Sequence, residues 1–103
     1  MKILFWVDDL MTRTRVESRW RQAGADILRK NSEDTPELVV IDLTAADALA
    51  QIGRLREMHP EVDILAFGPH VDGGAFKQAR AAGATNVVAR GKVVERVLAM
   101  LGK

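Results

Sequence analysis

Apolar positions along the chain switch between continuous short runs and a helical period. Lys2–Val7 (KILFWV) is an unbroken apolar run, the pattern of a strand covered on both faces of a parallel sheet. Asp8 and Asp9 stop it. From Leu10 to Ala23 the period becomes helical, with Val16, Trp20 and Ala23 on one face and arginines between, and Gly24 supplies a stop. Asp26–Arg29 is a short, weak strand, and Asn31–Glu37 (NSEDTPE) is the most polar stretch, broken by Pro36. Leu38–Leu43 (LVVIDL) is the strongest strand signal, followed by a helix over Ala45–His59 that ends at Pro60. Val62–Phe67 predicts a fourth strand, Gly73–Ala82 a helix of small residues ended by Gly83, Asn86–Arg90 a fifth strand, and Lys92–Leu101 a last amphipathic helix. Strands alternating with helices predict an α/β domain with a parallel sheet and helices on both faces. No internal repeat is present.

Composition adds limits. At 103 residues the chain has the length of one domain, read here as a single unit over 1–103. With 48% hydrophobic and 28% charged residues it is too apolar for disorder. The absence of cysteine excludes disulfides, thiolate chemistry and cysteine-held metals. A formal net charge of +1 selects no charged partner, and direct nucleic-acid binding is not expected. The opening apolar run is too short to span a membrane, which needs ~20 residues, and carries no cleavage pattern; a cytoplasmic location is expected.

Ligands of open parallel sheets bind beyond the carboxyl ends of the strands. Asp8 and Asp9 follow the first strand, and Asp42 ends LVVIDL. If the first and third strands are neighbours, the three carboxylates converge, and such a cluster must share protons, stay hydrated or hold a hard cation. Mg²⁺ fits best, because it takes oxygen ligands and commonly joins one or two carboxylates to a phosphate. A carboxylate there can attack a phosphoryl donor, with Arg90 as the charge-stabilising cation. His70 falls on the rim of this site and His59 at a helix C-terminus. No P-loop, H-E-x-x-H or G-x-S-x-G motif occurs, so no enzymatic activity is expected.

Three segments carry a resemblance: VDD (Val7–Asp9), VVIDLT (Val39–Thr44) and QARAAGATNVVAR (Gln78–Arg90). The chain resembles, end to end, the receiver domain of two-component response regulators. The resemblance implies a flavodoxin-like three-layer sandwich, its five-stranded sheet in the order 2-1-3-4-5. It also implies that Asp42 accepts phosphate, that Asp8 and Asp9 organise Mg²⁺, and that the backbone carbonyl of Thr44 completes the metal site. A histidine kinase, a phosphotransfer protein or another signalling protein is the implied partner, and the first helix, with Arg13, Arg15, Arg19 and Arg21, borders the implied kinase-docking surface. Without a partner, those arginines read as a solvated face with Glu17 and Arg21 paired.

The departures are specific. The family's switch hydroxyl falls on Gly68, its aromatic switch on Val87, and its lysine on Arg90, followed by Gly91 instead of proline. These substitutions leave open a second reading, a degenerate receiver that acts as an interaction or dimerisation module without phosphorylation. Aspartyl-phosphate phosphatases resemble D-x-D-x-T, and Asp42-Leu43-Thr44 lacks the second aspartate. The helix between strands two and three is replaced by Lys30–Glu37. Those residues reach at most ~26–29 Å against a crossover of ~20 Å, enough for an extended loop. Its loss is expected to uncover an apolar face, to be covered by a bulky side chain such as Trp6, by a second copy in a homodimer, or by another protein.

Overall fold

A computed structural model of the chain describes residues 1–69 and 73–102. The expected rim residue His70 lies outside the described residues. Five parallel strands form one sheet in the order β2-β1-β3-β4-β5. They are β1 (Lys2–Trp6), β2 (Asp26–Leu28), β3 (Leu38–Asp42), β4 (Asp63–Gly68) and β5 (Asn86–Ala89). The helices are α1 (Leu10–Gln22), α2 (Ala48–Met58), α3 (Gly73–Ala82) and α4 (Arg90–Met100). No helix among the described residues is long and apolar enough to cross a membrane.

Strand periodicity divides the core into two layers. Ile3, Phe5 and Val7 face the same side as Leu38 and Val40, where α1 and α4 contribute Val16, Trp20, Val93 and Val97. The Trp20 ring meets Phe5 edge-on at 4.8 Å, and its indole N–H donates to the Val94 carbonyl. Leu4, Leu28, Val39 and Ile41 face the opposite side, under Ile52 and Leu55 of α2 and Ala79 of α3.

Two boundaries bear on the site. Helix α2 starts at Ala48, three residues later than the periodicity suggests, because residues 43–47 turn out of β3 and Asp47 adopts a left-handed φ of 56°. Arg90 is the first residue of α4 and not the last of β5; Ala89, extended at φ −69° and ψ 149°, caps the helix directly. The strand therefore passes into the helix without a loop.

No helix stands between β2 and β3, as expected. The expected uncovered face is nevertheless closed by the chain itself. Leu4 and Leu28 are only 6% and 7% exposed, and the connection buries Pro36. Its end is fastened to β1: Glu37 N–H donates to the Lys2 carbonyl, and Lys2 N–H to the Glu37 carboxylate. Trp6 fills the remaining space, half-buried, with the Lys30 ammonium 4.8 Å and the Arg54 guanidinium 5.6 Å from its ring centroid. Of the three covers anticipated, the structure shows the bulky side chain, Trp6.

Candidate functional site

The sheet register sets the distances at the site. Asp42 pairs with Phe67 and Phe67 with Val88, so Arg90 emerges two residues beyond the level of the carboxylate and two strands away. Its side chain returns across β4, with the guanidinium 5.3 Å from the Phe67 ring centroid. There a single nitrogen, Nη2, donates to both Asp42 oxygens, at 3.1 and 3.0 Å. One bifurcated nitrogen holds the carboxylate, in place of the two-nitrogen fork open to an arginine.

Among the described residues Asp42 is the one charged residue in the buried core, its side chain 4% exposed. Burial of this kind is tolerated when the charge is paired and hydrogen-bonded. Arg90 supplies the pairing, and Thr44, just past β3, adds hydrogen bonds locally, donating to Oδ1 from its N–H at 2.8 Å and its hydroxyl at 2.7 Å. Thr44 was expected to offer its carbonyl to a metal; what it brings to Asp42 is two donors.

Asp8 and Asp9 follow β1, on the solvent side, and each is engaged separately. The Ala46 N–H donates to Asp8 Oδ2 and the Lys30 ammonium to Oδ1, both at 2.9 Å. These contacts, the Ala46 N–H foremost, hold the Asp8 carboxyl below the usual carboxylate range. Asp9 is the N-cap of α1 and accepts from the N–H groups of Met11 and Thr12 and from the Thr12 hydroxyl. The Thr12 hydroxyl is the main cause of its lowered pKa, with the two backbone donors adding to it.

The convergence of Asp8, Asp9 and Asp42 is therefore not met. Among the described residues no three His, Cys, Asp or Glu side chains stand together in a group that could hold a metal ion. The physical reason is competition from donors nearer to hand: helix N–H groups for Asp9, a loop N–H and an ammonium for Asp8, a guanidinium for Asp42. As they stand, these residues do not fit Mg²⁺.

Gly68 and Val87, which the resemblance implies as altered switch positions, lie on the strands the sequence suggests. Gly68 ends β4, buried, and a Cβ built there would meet Phe76 at 3.5 Å and Leu43 at 3.7 Å, ordinary contacts that leave room for a side chain. Val87 is buried in β5 beneath α3. Neither supplies a hydroxyl or an aromatic ring. On α1, Glu17 pairs with both Arg13, at 3.7 Å, and Arg21, at 3.4 Å, and Arg19 reaches Glu95 of α4. The arginine face is thus largely engaged within the chain.

No family model matches the sequence, and no curated protein matches it. Solved structures do. A BeF3-activated receiver domain superposes with a TM-score of 0.82 at 22% identity, over 98% of this chain and 93% of that one. This chain has the receiver fold. A CheY-like receiver domain from Methanospirillum hungatei gives a TM-score of 0.82 at 13% identity, covering 98% of this chain and 93% of the other. A Burkholderia pseudomallei response regulator carrying a phosphorylated aspartic acid, a calcium ion and citrate gives 0.84 at 21% identity. That match covers 97% of this chain but 65% of the larger protein. At these identities the likeness establishes the receiver fold, which is flavodoxin-like with the order expected from the sequence.

Sequence reasoning missed two participants in the site and one brace at the opposite edge of the sheet. Lys30 and the Ala46 N–H reach Asp8 only through tertiary geometry. Arg56 donates to the carbonyls of His59, Pro60, Val62 and Gly83, knitting the end of α2 to the turns beneath β4 and β5. Its signal was available: a basic residue in the last turn of a helix, where carbonyls lack partners.

Proposed function

We propose that this chain is a cytoplasmic signalling module of the two-component type. It acts through protein contacts with a histidine kinase, a phosphotransfer protein or another signalling protein, without phosphorylation and without catalysing a reaction. The observation that carries this reading is the Arg90–Asp42 pair: the carboxylate that would accept phosphate is buried and occupied on both oxygens by the chain's own cation. Gly68 and Val87 support it, because a phosphoryl group on Asp42 would find no switch hydroxyl to pull and no aromatic ring to move.

Acceptance of phosphate on Asp42 with Mg²⁺ is the second reading. It is favoured by the place of Asp42 at the carboxyl end of β3 and by the phosphorylated aspartic acid in the Burkholderia relative. It requires Arg90 to leave Asp42 and then serve a phosphoryl oxygen. Incubation with acetyl phosphate and MgCl₂, followed by intact mass measurement, separates the two. The first reading expects no adduct. A phosphoryl mass increment that disappears in Asp42→Asn would select the second.

A further inference from the structure

We infer that Lys30 takes the place of a divalent cation at Asp8, so that the acid end of this receiver fold is completed by the chain itself. The inference rests on reading Asp8, Asp9 and Asp42 as the acid end of a receiver-type site. The short connection between β2 and β3 makes the arrangement possible. Because β2 lies beside β1 with Leu28 level with Leu4, the chain leaving β2 runs on toward the end of β1, and the second residue of the connection is Lys30. A lysine ammonium is a compact point charge with three donors, the closest a side chain comes to an inorganic cation. Its Nζ lies 2.9 Å from Asp8 Oδ1 and 4.8 Å from the Trp6 ring centroid, so carboxylate and aromatic face hold the charge together. The other Asp8 oxygen is closed by the Ala46 N–H, which leaves the carboxylate a donor on each oxygen.

The charges match pairwise: Lys30 with Asp8 and Arg90 with Asp42, while Asp9 is committed to the N-terminus of α1. A divalent ion approaching Asp8 would meet an ammonium already in place and would have to expel it. The same contact ties the site to the connection, because releasing Lys30 from Asp8 also frees it from Trp6, the side chain that covers the shortened face.

The test is a titration of the full ¹⁵N-labelled chain with MgCl₂ against NaCl of equal ionic strength, followed by amide and indole resonances. In the unaltered chain the amides of Asp8, Asp9 and Ala46 and the Trp6 indole should stay unmoved into the millimolar range. Lys30→Ala should give a saturable response at those amides, with affinity raised by roughly tenfold or more. Lys30→Arg, which keeps a cation there, should restore the block. Lys30→Gln carries the same expectation and stands in if the alanine variant fails to fold. Equal Mg²⁺ affinity with and without Lys30 would overturn the inference, and so would the absence of any Mg²⁺ response in both neutral variants. An adduct on Asp42 would instead bear on the signalling reading, so the two failures are distinguishable.

Discussion

Removing the guanidinium in Arg90→Ala would leave Asp42 with its Thr44 donors on Oδ1 and, among the described residues, no donor on Oδ2, at a carboxylate that is 4% exposed. Breaking a buried ion pair from one side costs about 3–5 kcal/mol when both partners are desolvated. Arg90 is 35% exposed, so solvent screening reduces that figure, and a loss of about 1–3 kcal/mol is expected. Asp42→Asn is the informative companion. It keeps an acceptor for Thr44, removes the buried charge, and leaves Arg90 free to turn toward water, so its own cost should be smaller. The double variant should then be more stable than the sum of the two losses allows, with a coupling of about 1–2 kcal/mol. Urea unfolding followed by far-UV circular dichroism reads this directly, provided the slopes of the four proteins agree. For a domain of this length each kcal/mol corresponds to about 4–8 °C in Tm, so thermal melts give an independent check. Additivity within about 0.5 kcal/mol would mean that the two side chains do not depend on one another, and the account of a self-neutralised acid would fail.

Three further outcomes follow from the same geometry. Gly83→Ala should cost about 2–3 kcal/mol in chemical unfolding, because φ there is +130° and a Cβ would lie 2.9 Å from the Arg56 Cβ; a loss below about 0.5 kcal/mol would contradict that crowding. Gly68→Ala should be neutral or stabilising by up to about 1 kcal/mol, since its Cβ meets only ordinary contacts, and a clear destabilisation in the same assay would show hidden strain at the end of β4. The lowered carboxyl pKa values of Asp8 and Asp9 make stability present above the unfolded pKa near 3.8 and progressively lost as pH falls through their folded values. Acid unfolding of Lys30→Ala should show a weaker dependence in that window than the unaltered chain, and identical curves would mean that Lys30 does not hold Asp8 ionised.

The architecture was legible because it rests on periodicity. The unbroken runs KILFWV and LVVIDL each became a strand covered on both faces, and Gly24 and Gly83, with φ of +102° and +130°, ended helices α1 and α3 as the sequence suggested. The acids were legible as well, since a carboxylate following an apolar run must emerge at the carboxyl edge of the sheet. What could not be read was the choice each acid makes among donors. Asp9 precedes a helix, and its oxygens are taken by N–H groups two and three residues on, so a local preference defeated the long-range cluster. For Asp8 and Asp42 the deciding donors lie 22, 38 and 48 residues away, and only the strand order brings them within reach.

The shortened connection accounts both for the covering of the sheet and for the partner of Asp8. A helix between β2 and β3 would bury β1 and β3 from outside and would carry the residue after β2 away from the strand ends. An extended connection does neither, so Trp6 has to cover the face and Lys30 is delivered beside it. The ammonium then serves two neighbours at once, the ring it packs on and the carboxylate at the end of the same strand. Arg90 repeats the pattern on the other side of the site, packed on Phe67 while paired with Asp42. Asp8 and Asp42 are thus each matched by a cation braced on an aromatic ring. Such a site can hold its charge balance without an external ion.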